Sequence, residues 1–116
     1  MTEAPTAIRI SQDRRDFTLV KADGSAFTLS AELMRVHSPS AEVQGHSPEQ
    51  RKTVPGKKDV TIEAVKPVGN YAVRIVFSDG HDSGIFSWVY LCELDAEREG
   101  KWSRYLAELA QKGLSR

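Results

Sequence analysis

The sequence predicts an α+β domain: a small antiparallel β-sheet of about five short strands with a C-terminal helix packed on it. Three observations carry this prediction. In YAVRIVF, at 71–77, Tyr71, Val73, Ile75 and Phe77 alternate with Ala72, Arg74 and Val76, the period of a strand with one face in a core. ADGS at 22–25 and VGN at 68–70 lie between candidate strands and supply tight turns. Trp102, Tyr105, Leu106 and Leu109 fall at i, i+3, i+4 and i+7, one apolar face of a helix.

Taken in order, residues 1–7 read as a flexible N-terminus and 8–116 as a single domain, the natural prior for a chain of 116 residues. Ile8–Ser11 and Phe17–Lys21 are short strands around the polar turn QDRRD. Ala26–Leu29 is a third strand, and Ser30 can cap a helical turn running to Met34. Residues 37–59, rich in Pro, Gly and charge, read as one long loop. Val60–Pro67 and Tyr71–Phe77 form the clearest hairpin, and SDGHDSG leads to a short strand at Ile85–Phe86. Ser87 is placed to cap a short helix holding Trp88, Leu91 and Cys92; a second helix covers Glu97–Lys112 and stops at Gly113.

Composition narrows the function. Sixteen basic residues balance sixteen acidic ones, which argues against nonspecific nucleic-acid binding. The single cysteine, Cys92, cannot form an internal disulfide or a Cys-rich zinc site. No stretch reads as a membrane span or a signal peptide, so the expected compartment is the cytoplasm. No Walker loop, dinucleotide fingerprint or nucleophile elbow occurs. The aromatic set Trp88, Tyr90, Trp102 and Tyr105 has helical spacing and reads as core.

Chemistry concentrates at the three histidines. His37 and His46 lie in the long loop; His81 lies in a turn between Asp79 and Asp82. Neutral imidazole suits zinc or iron, and a neighbouring acid can orient it. The same residues can instead hydrogen-bond loop backbone and hold the turns; both readings stand at this level.

The segments MRVHSPSAEVQGH and VKPVGNYAVRIVFSDGHDSGIFSWVYLCEL resemble the DUF971 family, the gamma-butyrobetaine hydroxylase-like N-terminal domain, over roughly residues 8–95. In the carnitine-synthesis dioxygenases, the resemblance implies, this domain precedes a catalytic domain and binds zinc through a C-P-C-x-x-C segment and a later histidine. That segment falls on Ser38, Pro39, Ser40, Ala41, Glu42 and Val43, and the histidine on His81. All three thiolates are therefore replaced, and serine hydroxyls are poor substitutes because they are un-ionised, hard donors. No counterpart of that catalytic domain is expected within these 116 residues. The resemblance implies a noncatalytic accessory or binding domain, joined by analogy to an iron–sulfur carrier ATPase or an oxygenase as protein partner. The expected site takes iron or zinc through His37, His46 and His81, with Asp79 and Asp82 as supporting acids and Ser38, Pro39, Ser40 and Glu42 as a binding loop. The alternatives are a metal-free interaction module and a small acid–base enzyme pairing His81 with Asp79 or Asp82.

Overall fold

The computed structural model describes residues 4–45 and 48–116. The elements are β1 (Ala7–Ile10), β2 (Asp16–Val20), β3 (Ala26–Ser30), α1 (Ala31–Val36), α2 (Ala41–Gln44), a 3-10 turn (Pro48–Gln50), β4 (Ile62–Val68), β5 (Ala72–Phe77), β6 (Ile85–Ser87) and α3 (Trp88–Gln111). The domain is α+β, as predicted, but its strands number six rather than five. They form two antiparallel three-stranded sheets, ordered β1-β2-β3 and β4-β5-β6.

Alternation builds the core. Phe17 and Leu19 of β2 pair with Leu29 and Phe27 of β3, and all four are buried against Ile62, Val73, Ile75, Phe77 and Phe86 of the other sheet. Trp88, Leu91 and Leu94 of α3 close the same cluster. Tyr71, read from the sequence as part of the inward set, is 56% exposed because β5 begins one residue later. Pro67 is tolerated in β4 because that strand is a sheet edge.

Arg14 joins the two sheets. Its Nε and Nη2 donate to the carbonyls of Ile62 and Glu63, each at 2.6 Å, where the β4–β5 register shifts between Ile62 and Ala64. The Ile62 N–H returns a bond to the Arg14 carbonyl at 2.8 Å. Arg14 takes φ 62° to do so, an uncommon conformation for a residue with a Cβ.

The two helices expected late in the chain are one helix of 24 residues. The stretch between the two expected helices is helical too: Leu94 packs into the core, and Arg98 bonds Asp95 at 2.5 Å and the Thr28 carbonyl at 2.8 Å. Ser87 caps its start, accepting from the Tyr90 N–H at 3.0 Å. It ends in a Schellman arrangement, with Leu114 N–H bonded to the Leu109 carbonyl and Gly113 at φ 67°. Tyr105 and Leu109 are buried on its inner face, but Leu106, assigned to that face from the sequence, is 39% exposed. The loop at 37–59 is also less irregular than its composition suggests, since it contains α2 and the 3-10 turn. No described helix is long and apolar enough to cross a membrane.

Candidate functional site

The site is built where the segment after α1 meets the β5–β6 turn. Ser30 caps α1 by accepting from the Leu33 N–H, and the helix lasts six residues before His37 ends it. The chain then folds on itself. The Ser40 hydroxyl accepts from the Glu42 N–H at 3.2 Å and starts α2, while the Gln44 amide donates to the Ser38 carbonyl at 2.9 Å. Short hydroxyl and amide side chains thus satisfy the backbone of a segment too short to form regular ladders.

The facing turn is organised by Asp79. Its Oδ1 accepts from the His81 N–H at 3.0 Å. Its Oδ2 meets Arg35 Nε at 2.7 Å and Lys57 Nζ at 2.6 Å. Burial pushes this carboxyl up, but the bonds from Lys57, the His81 N–H and Arg35 outweigh that and hold it at about 2. The linkage has a definite sign. The stabilisation is complete above the ordinary carboxyl value of 3.8 and is lost as pH falls toward about 2. Asp79→Asn should remove about 2 kcal/mol of stability at neutral pH and flatten the acid limb of a urea-midpoint profile between pH 4 and 2; an unchanged limb would show that the carboxylate is not held this way.

Between the two segments lies a Ser–His–acid line. His81 Nε2 is 2.8 Å from Ser38 Oγ, and His81 Nδ1 is 2.8 Å from Glu42 Oε2. The Nδ1 contact has ion-pair distance but not aligned hydrogen-bond geometry. A carboxylate can only accept, so Nδ1 carries the proton, and Nε2 accepts from the Ser38 hydroxyl. Ser38 Oγ in turn accepts from the Ser40 N–H at 3.3 Å, and Ser40 Oγ bonds Ser83 Oγ at 2.7 Å. Ser38 is 0% exposed and His81 5%. Burial lowers the His81 pKa, the Arg35 charge adds to the effect, and Glu42 and Asp79 oppose it. The ring is therefore neutral at pH 7. Gly84 backs the line: a Cβ there would stand 2.4 Å from Ser38 Oγ and 3.1 Å from Phe86 Cε1.

The remaining expected site residues are distributed elsewhere. His37 turns the other way, its Nδ1 donating to the Leu33 carbonyl at 3.0 Å, and its ring lies edge-on to Tyr105. Asp82 is exposed and reaches Arg74 at 3.7 Å. Pro39 lines the cavity that His37 faces. His46 lies outside the described residues. The acid beside the His81 ring is thus Glu42; Asp79 holds the His81 backbone and Asp82 pairs outward.

The donors present do not fit the zinc set that the resemblance implies. The hydroxyls of Ser38 and Ser40 are hard, un-ionised and engaged with His81 and Ser83. Val43, at the third thiolate position, is apolar and buried. An ion beside Asp79 would face the charges of Arg35 and Lys57. Among the described residues, no three His, Cys, Asp or Glu side chains are grouped to hold a metal.

Sequence reasoning missed Arg35, Lys57, Ser83 and Gly84 as parts of this site. Only Gly84 left a signal, in the second glycine of SDGHDSG; the two cations lie 44 and 22 residues before Asp79 in an otherwise ordinary charge pattern.

Comparison with known proteins places these features in context. The family model "Gamma-butyrobetaine hydroxylase-like, N-terminal" matches residues 8–92. Two NMR solution structures of proteins, each 44% identical, superpose with TM-scores of 0.83 and 0.85. They cover 100% and 99% of this chain, and 91% and 86% of their own. A crystal structure of a DUF971-family protein of unknown function from Acidithiobacillus ferrooxidans ATCC 23270 is 41% identical, with TM-score 0.66 over 81% of this chain and 94% of that one. No curated protein matches the chain.

Proposed function

Because this chain belongs to the gamma-butyrobetaine hydroxylase-like N-terminal (DUF971) family, we propose that it is a noncatalytic binding domain in which the Ser38–His81–Glu42 cluster takes the place of a metal. The observation that carries this reading is the state of Ser38. Its hydroxyl is bonded to a neutral imidazole backed by a carboxylate, the order of a hydrolytic triad. Yet the residue is fully buried and Gly84 sits against it, so no substrate carbonyl can approach the oxygen. The line pins the 37–45 segment to the 78–84 turn, which is what a metal with ligands on both would do.

The face so held presents Glu42 and Asp82, with side chains 65% and 58% exposed. We assign the binding role to this face, with a protein as partner; an iron–sulfur carrier ATPase or an oxygenase is the class suggested by the family resemblance.

Metal analysis tests the reading. Untagged protein purified without chelator should retain no stoichiometric zinc or iron. The variant Ser38→Cys/Ser40→Cys/Val43→Cys, which restores three thiolates beside His81, should bind one zinc. Stoichiometric metal in the parent protein that disappears in His81→Ala would overturn the proposal. Labelling of Ser38 by a serine-reactive fluorophosphonate would overturn its noncatalytic part.

A further inference from the structure

His37 and Ser38 are adjacent in sequence but serve opposite sides of their segment. On the His37 side lies a cavity of about 310 Å³ between the segment and α3, within the size range of small-molecule sites. Its lining includes His37, Arg51, Tyr90, Lys101, Arg104 and Glu108. Three cations thus face one carboxylate, in a protein whose formal net charge is zero.

The charges are not equally committed. Arg51 Nη2 bonds both oxygens of Glu108, at 2.9 and 2.7 Å, so that pair is locally neutral. Among the described residues, Lys101 has only a 3.6 Å contact with Glu97, whose side chain is 61% exposed. Arg104 is exposed and makes no ion pair among the described residues. The Tyr90 hydroxyl is fixed by donation to the His37 carbonyl at 2.5 Å. With Nδ1 donating to Leu33, the nitrogen left to His37 for a ligand is Nε2.

The geometry points to a binding site for a small molecule carrying an oxyanion group, phosphate-like or carboxylate, held by Lys101 and Arg104 over the edge of His37. Both cations project from one helix, one turn apart at i and i+3, and Glu108, a turn further along the same helix, is already engaged by Arg51. An oxyanion there would neutralise the charge that α3 now leaves unpaired.

His37 reports on the event. Burial lowers its pKa first; its bond to Leu33 raises it, and Lys101, Arg51 and Arg104 lower it further. Glu108, Tyr90 and Tyr105 are the other titratable groups around the ring. A bound anion offsets the three cations and favours protonation at Nε2, so binding takes up a proton and strengthens as pH falls through the imidazole range.

Sulfate and succinate separate the two oxyanion sources, and sulfate has no titration of its own near neutrality. Each is titrated into the isotopically labelled full chain at constant ionic strength, following the His37 ring and Arg104 side-chain signals by NMR. Saturable shifts with either probe, a rise in the His37 midpoint, and about tenfold weaker binding in Lys101→Ala/Arg104→Ala than in the parent and the control Arg9→Ala are expected. Arg104 is exposed, Lys101 is half-buried, and neither belongs to the hydrophobic core, so the variant should fold, and its amide spectrum will show it. Shifts that stay linear for both probes, or saturation that the double variant leaves unchanged, would overturn the site. The outcome is independent of the metal analysis, which reads the opposite side of the segment.

Discussion

Gly84→Ala should destabilise the fold by about 2 kcal/mol, within the range of overpacking in a close-fitted interior. The added methyl would stand 2.4 Å from Ser38 Oγ and 3.6 Å from His81 Nε2. The hydroxyl cannot swing away, because Ser38 has no exposed surface and is bonded on two sides. Either the Ser38–His81 bond breaks or the β6 backbone moves, and β6 carries Phe86 into the main core. Chemical denaturation should show the loss. The paired variant Ser38→Ala/Gly84→Ala, which removes the clashing oxygen, should recover part of it. If Gly84→Ala is as stable as the parent, the 37–45 segment is not seated on the turn as described.

His81→Ala should remove about 2–4 kcal/mol, from the buried volume lost and from a Ser38 hydroxyl left without its acceptor. His81→Gln, which can present an amide near the old Nε2 position, should be milder. A double-mutant cycle with Ser38→Ala isolates the bond itself; a coupling indistinguishable from zero would mean that the imidazole only fills space. The pH response gives a second check. The folded-state pKa values of His37 and His81 are both lowered from 6.5. The unfolded chain therefore takes up protons first. Stability is complete above pH 6.5 and falls as pH drops below it. In His81→Ala this decline should be shallower, with the remainder due to His37.

Much of the fold was legible in local patterns. Period-two alternation located β5, Asp-Gly and the VGN turn located the hairpins, and Ser30 and Ser87 were readable as caps because a hydroxyl before an apolar helical run has one common use. What failed depended on context. Whether strands join one sheet or two is set by long-range pairing that period does not encode, and the Arg14 clasp between the sheets has no local signature. Two helices were expected where α3 is one, because the link between them is held by Leu94 in the core and by Arg98 on the Thr28 carbonyl, long-range contacts without a local pattern.

The site divides in the same way. The sequence by itself determined that three histidines and a serine-substituted zinc-type segment were the places to look, because few residue types bind ions or move protons. Set beside the family it resembles, it also showed which thiolate positions hold Ser38, Ser40 and Val43 instead. Only the tertiary structure decided that His37 and His81 serve opposite sides of one segment. The reason is the chain reversal after α1, which sends consecutive side chains to α3 and to the β5–β6 turn. It also decided that Glu42, not Asp79 or Asp82, faces the imidazole, since Asp79 is drawn to Arg35 and Lys57 by charge. Those partners come from distant parts of the chain, and their meeting is a property of packing that no local pattern records.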